Sequence, residues 1–284
     1  MHGIGHASSA VTIVNALSTG IGCAAGISLI AAAEVDLEHA GPGGQIRVES
    51  GSDTPLVRSA LMGALRRLEP NSDFTVSLVL RSQIPPSKGL KSSSAVSAAI
   101  IASVANALHR RLSTIEIAAL SAEISQAIGL SATGAFDDAL AGLQPGIVVT
   151  DNPRRSVLRE APVDDGWEVV LWIPQGTHHA STEWRDRFAA RSAEGRAPAD
   201  AALAGDFLNA MTRNTELVEK IMGYSYRGLR EELRRRGALA SGVAGLGPTL
   251  AAIVPKERST EVLHALPAGR GDRLTVSFMP RSAS

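Results

Sequence analysis

The run Pro85-Pro86-Ser87-Lys88-Gly89-Leu90-Lys91-Ser92-Ser93-Ser94-Ala95 constrains this chain more than any other. It lies between two contrasting segments. Before it, Phe74 to Ile84 (FTVSLVLRSQI) is apolar, β-prone and partly alternating. After it, Ala95 to Leu108 (AVSAAIIASVANAL) is rich in small apolar residues. The order is strand, Gly/Ser/Lys loop, helix. A loop that leads into a helix N-terminus leaves backbone N–H groups unpaired, with the positive end of the helix dipole behind them. Such a junction suits an anion. Gly89 permits close approach of the backbone to a ligand. Lys88 and Lys91 add charge, and three serines add hydroxyls. A polyphosphate is the ligand this combination predicts.

The plainer alternatives are specific. A serine before a helix is often only a cap, and loop lysines are often only solvated. Neither accounts for two lysines, a glycine and three serines at one junction. The loop is not a G-x-x-x-x-G-K-[ST] motif, and no G-x-G-x-x-G turn follows a strand. A different nucleotide-binding design is required.

Bulk properties exclude several classes. Lys and Arg number 28, as do Asp and Glu, so no net field favours nucleic acid or an anionic membrane. A single cysteine, Cys23, permits no internal disulfide and fits a reducing cytoplasm. Ala10 to Ala33 is long and mostly apolar, yet Asn15, Ser18, Thr19, Ser28 and several glycines interrupt it, and no basic region precedes it. It reads as two buried strands joined by a turn near Gly20–Gly22, not as a membrane span.

Further strands are expected at Val35–Glu38 and Gln45–Glu49, with the Gly41–Gly44 turn between them, and an amphipathic helix at Thr54–Leu68. Ser113-x-x-Glu116 is a capping box that opens a second helix, which Gly129 ends. Gly146–Thr150 and Trp167–Pro174 read as strands. Asp186–Pro198 is charged and reads as a surface segment or lid. Helices follow at Asp200–Met222 and Tyr226–Arg236. Thr249–Val254 and Leu274–Phe278 are strands flanking a helix near Thr260–Leu266, which suits a ferredoxin-like sandwich. His178-His179 and Arg154-Arg155 read as loop and turn residues.

The central loop resembles the phosphate loop of the GHMP kinases, whose usual pattern is P-x-x-x-G-L-G-S-S-A-A. Gly89-Leu90 and Ser92-Ser93 match it; Lys91 stands where most members carry glycine. G-L-K-S-S-S-A and Thr133-Gly134-Ala135-Phe136-Asp137-Asp138-Ala139 are similar to the archaeal-type shikimate kinase branch. So is the first motif, which contains Ala10-Val11-Thr12-Ile13-Val14-Asn15-Ala16. The resemblance implies an α+β, two-domain fold. Its N-terminal α/β nucleotide-binding domain would span residues 1–155 and its C-terminal ferredoxin-like sandwich residues 156–284. It implies ATP as donor, Mg²⁺ as cofactor and shikimate as acceptor; no nucleic acid or membrane partner is expected, and oligomeric state, a homodimer included, stays open.

Residue by residue, the resemblance implies that Pro86 to Ala95 cradle the triphosphate, with Lys88 also assisting catalysis. Ser93 matches the second serine of the family pair and would meet the metal. Glu123, an isolated acid among aliphatics (IAALSAEISQAI), is expected to complete the metal shell, since burial of an unpaired charge is costly; the other reading places it on a solvated stripe. Asp137 is the expected base, with its neighbour Asp138 also open to the role; spacing alone weighs a base here evenly against two acids that simply favour a helix N-terminus, and the family pattern points to Asp137. Thr12 and Asn15 are expected at the substrate, or else buried and satisfied. Ser241 to Thr249 resembles the third family motif, with Gly247-Pro248-Thr249 closing the site. Acceptors such as homoserine or mevalonate, and an ATP-binding protein without turnover, are the alternatives.

Overall fold

The structure, a computed structural model, describes residues 1–41, 44–176 and 183–280. Pro42-Gly43 of the first glycine turn and the His178-His179 pair lie outside the described residues.

The first half is built on a long hairpin. β1 (His2–Val14) pairs antiparallel with β2 (Ile21–Ala40). β3 (Ile46–Ser50), α1 (Pro55–Leu68), β4 (Asp73–Ser82), α2 (Ser92–Ala107), α3 (Thr114–Ala127), α4 (Phe136–Ala141), β5 (Ile147–Asp151) and β6 (Ser156–Ala161) follow. The strands form one sheet in the order β3-β4-β2-β5-β6, with β1 on β2. The apolar Ala10–Ala33 stretch is thus two buried strands. Val35–Glu38 is not a separate strand but the far end of β2, which continues because Ala31–Ala40 pairs with β4 while Ile21–Ala25 pairs with β5. β6 was not visible in the polar sequence SVLREA; it pairs with β5, so the first sheet runs past residue 155 to Ala161.

Two caps match their sequence signals. The Thr54 hydroxyl accepts from the Val57 amide at the start of α1, and Ser113 and Glu116 form the reciprocal capping box of α3. α2 is buried on nearly every side, and its small residues, among them Ala98, Ala99, Ser103 and Ala107, let it lie close against β1 and β2. A helix apolar all round belongs in an interior. Its first turn, by contrast, reaches solvent at Ser93.

The second half comprises β7 (Trp167–Pro174), α5 (Glu183–Ala189), α6 (Ser192–Ala204), α7 (Phe207–Met222), α8 (Arg227–Arg235), β8 (Ala240–Val243), β9 (Leu250–Pro255), α9 (Ser259–Ala265) and β10 (Gly271–Ser277). Its antiparallel sheet has the order β10-β7-β9-β8, the ferredoxin-like arrangement. Side-chain alternation explains the continuous apolar run of β7. Val169, Leu171 and Ile173 join the main core, whereas Val170 and Trp172 face Leu233 of α8 and Val262 of α9. The chain then returns to the first sheet: Phe278 bridges Ile27, and the Met279 amide donates to Gly26 O at 2.8 Å.

Two expectations are corrected. Residues 186–198 lie mostly at the surface but are helical rather than loose, forming parts of α5 and α6 with Phe188, Gly195 and Pro198 buried. Alanine, glycine and proline carry little hydropathic signal, yet they pack closely. The single helix expected over 200–222 is two helices, broken at Gly205-Asp206. Among the described residues, no helix is long and apolar enough to cross a membrane.

Candidate active site

A cavity of about 460 Å³ lies where the central loop, the start of α2, the α3–α4 connection, α4 and the third glycine loop converge. The central loop holds Ser87, Gly89 and Lys91 at φ of 57°, 78° and 61°. Two of these are not glycine, and a left-handed residue with a Cβ costs about 1–2 kcal/mol. Leu90 anchors the loop in the core, and the Ser9 hydroxyl donates to its carbonyl at 2.7 Å. Lys91 is the N-cap of α2 and gives it no side-chain cap. The first-turn residues Ser92, Ser93 and Ser94 all line the cavity, so that uncapped turn faces it with the helix dipole behind.

Gly89 serves a purpose the sequence did not reveal. A Cβ there would stand 2.0 Å from the Ala244 carbonyl oxygen. The close approach is thus to the third loop, which the central loop touches backbone to backbone. Thr12 and Asn15 join the same contact. Thr12 Oγ1 accepts from the Gly245 amide at 2.8 Å, and Asn15 Nδ2 donates to Gly245 O at 3.4 Å. Both line the cavity, so their wall position and their tie to the third loop coexist. Tyr224 and Tyr226 stack, and their hydroxyls donate to Leu246 O and Pro248 O, bracing the third loop from behind.

The acidic wall comes from α4. Asp137 and Asp138 are both buried and line the cavity, but their partners differ. Asn152 Nδ2 donates to Asp137 Oδ1 at 2.7 Å, and the Asp137 amide donates back to Asn152 Oδ1 at 3.2 Å. Thr150 Oγ1 also donates to Asn152 Oδ1, at 2.7 Å. Asp138 instead faces Lys91, whose ammonium lies 2.9 Å from its carboxylate. Burial, and next the Asp138 carboxylate, push Asp137 up to about 7 against the opposing pull of Lys91 and Asn152. A carboxylate near neutrality suits a proton acceptor at physiological pH.

Several expected positions do not meet the cavity. Glu123 is on the exposed side of α3, while Ser121, Ala122, Ile124 and Ser125 face inward; the solvated-stripe reading holds, and its charge never has to be buried. Lys88 lines the cavity, but its ammonium donates to Pro174 O at 2.6 Å and to Gly176 O, at the end of β7. The cation at the acid pair is Lys91. Pro86 is exposed while Pro85 lines the cavity, and the Ala95 amide is spent on Lys91 O inside α2. Gly247 lines the cavity; Thr249 is buried behind it and does not. Arg154 pairs with Asp151 and Arg155 with Gln126, both outside the cavity. Conversely, Asn152 was hidden in a turn-like Asp-Asn-Pro, and Trp184, which lines the cavity from α5, carried no signal of its role.

Known proteins share this organisation. The family model described as GHMP kinases N terminal domain matches residues 56–146, and that described as GHMP kinases C terminal matches 199–270. A shikimate kinase of Methanothrix thermoacetophila is 32% identical over 284 residues, covering 100% of this chain and 96% of the relative. A shikimate kinase of Pyrococcus abyssi is 34% identical over 268 residues, with 93% and 95% covered. Among solved structures, the Methanococcus jannaschii mevalonate kinase superposes with a TM-score of 0.73 at 18% identity, covering 99% of each chain. Lactococcus lactis galactokinase complexed with galactose gives 0.74 at 11% identity, covering 98% of this chain and 93% of that one. The structural likenesses speak to the fold, and the sequence likenesses run nearly end to end. Taken with both matched domains and the loop-to-helix cavity they flank, these findings place the chain in the GHMP kinase family.

Proposed function

We propose that this protein transfers the γ-phosphoryl group of ATP to a hydroxyl of shikimate, giving shikimate 3-phosphate and ADP. The observation that carries the reading is Asp137, buried, held by Asn152 and facing the same cavity as the uncapped start of α2. A bond forms from the acceptor oxygen to the γ-phosphorus as the bond to the β,γ-bridging oxygen breaks. The acceptor proton passes to Asp137 late in the transfer, because an alcohol is scarcely acidic. The amides of the first turn of α2 bind the phosphates. The choice of shikimate rests on the similarity to relatives of that name.

Magnesium belongs to this reading through Ser93. Mg²⁺ takes one or two protein oxygens beside phosphates and water, and Ser93 is an exposed oxygen donor on the cavity wall. When bound, the ion would neutralise phosphate charge. The lone, buried Cys23 accords with a cytoplasmic setting.

The test is a steady-state assay of the purified chain with ATP, magnesium and shikimate, homoserine or mevalonate, with ADP release and product mass followed. Shikimate should be the preferred acceptor, and Asp137→Asn should lose turnover by roughly a thousandfold or more. Preference for another alcohol, or a variant as fast as wild type, would refute it.

A further inference from the structure

Lys88 and Lys91 are the cationic residues of the cavity wall among the described residues. Lys88 has its ammonium committed to carbonyl oxygens at the end of β7. Lys91 is different in three respects. It sits at φ 61°, in the left-handed region that glycine occupies more easily. Its side chain and that of Asp138 are each only 11% exposed, with 2.9 Å between them. It also immediately precedes the turn whose amides face the cavity.

Neither the strain nor the burial is explained by folding. A left-handed lysine is unfavourable relative to glycine, and a buried ion pair seldom repays the desolvation of its two charges. Strain and buried charge that stability does not require mark a functional site. The position of the pair says which function. It stands between the phosphate-facing start of α2 and the proton acceptor Asp137, where the transferred group must pass.

We propose that Lys91 is a catalytic residue whose ammonium moves from Asp138 onto the non-bridging oxygens of the γ-phosphoryl group, and that Asp138 is a positioning residue that holds this ammonium before the nucleotide binds. This rests on the phosphoryl-transfer reading above. The bonds made and broken are those already given: acceptor oxygen to phosphorus forms, phosphorus to ADP oxygen breaks, and the proton goes to Asp137. Lys91 neither gives nor takes a proton; it stabilises charge spread over the equatorial oxygens. Asp138, engaged with an ammonium, is thereby separated in role from its neighbour.

Calorimetric titration of the full chain in magnesium buffer tests the contact without any acceptor. The ligands are ADP and an ATP analogue with an imido group between the β- and γ-phosphorus. Lys91→Met should weaken the analogue by about tenfold or more and ADP by less than about threefold, because only the analogue carries the contacted group. Lys91→Gly relieves the backbone but, like Lys91→Met, leaves Asp138 without its buried partner, so its folding is checked by circular dichroism, and it should show the same discrimination. In turnover, both should lose roughly a hundredfold in kcat with the acceptor KM within about threefold, and Lys91→Arg should recover part of the loss. Asp138→Asn should keep the preference for the analogue and lose about tenfold in kcat. Equal weakening of both nucleotides, or kcat within about threefold of wild type, overturns the role of Lys91. A loss in Asp138→Asn as complete as in Asp137→Asn overturns the positioning role. Wild-type discrimination between the nucleotides that depends on Lys91, without phosphorylation of shikimate, would sink the acceptor assignment and leave the Lys91 contact standing.

Discussion

Replacing Asp137 by asparagine should abolish turnover and, above neutral pH, make the protein more stable. The folded environment raises Asp137 from an ordinary 3.8 to about 7, first by burial and then by the adjacent Asp138. The native state therefore holds this proton more firmly than the unfolded chain. The associated stability is complete below the unfolded value, about 3.9, and is lost as pH rises through about 7. At about 1.36 kcal/mol per pH unit, this linkage costs on the order of 4 kcal/mol of folding free energy at pH 8 and on the order of 1 kcal/mol at pH 5. Asparagine does not titrate, and its oxygen can still accept from Asn152 Nδ2, which now donates to Asp137 Oδ1 at 2.7 Å. The stability of the variant relative to wild type should rise by on the order of 3 kcal/mol between pH 5 and pH 8. Urea unfolding followed by circular dichroism at the two pH values measures this difference. A gap that is constant with pH, or that shrinks toward pH 8, would show that Asp137 does not carry a raised proton affinity.

Three further outcomes follow from the same geometry. Asn152→Leu removes a hydrogen bond that favours the ionised form, so the acidic limb of the kcat/KM profile should move above about 7, with nucleotide affinity unchanged. Gly22→Ala would set a methyl group 2.4 Å from Asp137 Oδ2; displacing the base should cost on the order of a hundredfold in kcat with little change in the KM for ATP. Glu123→Gln, on the exposed side of α3, should leave the magnesium dependence of turnover within about twofold of wild type, as a titration of rate against free Mg²⁺ would show.

The parts of the site legible in the sequence share one property: their signals are local. Pro85 to Ala95 announces a loop running into a helix because glycine, serine and lysine replace apolar residues over a short span. Ser113 and Glu116 declare a helix start because the capping box closes within one turn. β7 is recognisable because consecutive apolar residues can all be buried only when both sheet faces are covered. What remained hidden depends on distant partners. Asn152 looks like a turn former until the end of β5 is brought against α4. Lys88 and Lys91 are nearly equivalent as letters, and only the packing of the second half sends one to the end of β7 and the other to Asp138.

The sequence alone thus determined the strand–loop–helix junction, the order of elements that closes the second sheet, and, through pattern, the kinase superfamily. Each follows from short-range backbone preferences and hydropathic period. The tertiary structure alone decided which of the two buried acids Asn152 braces, which lysine meets the acid pair, and that Glu123 belongs to solvent. Those outcomes depend on burial and on charge separations of a few ångströms between residues far apart in the chain, and neither quantity exists until the chain has packed.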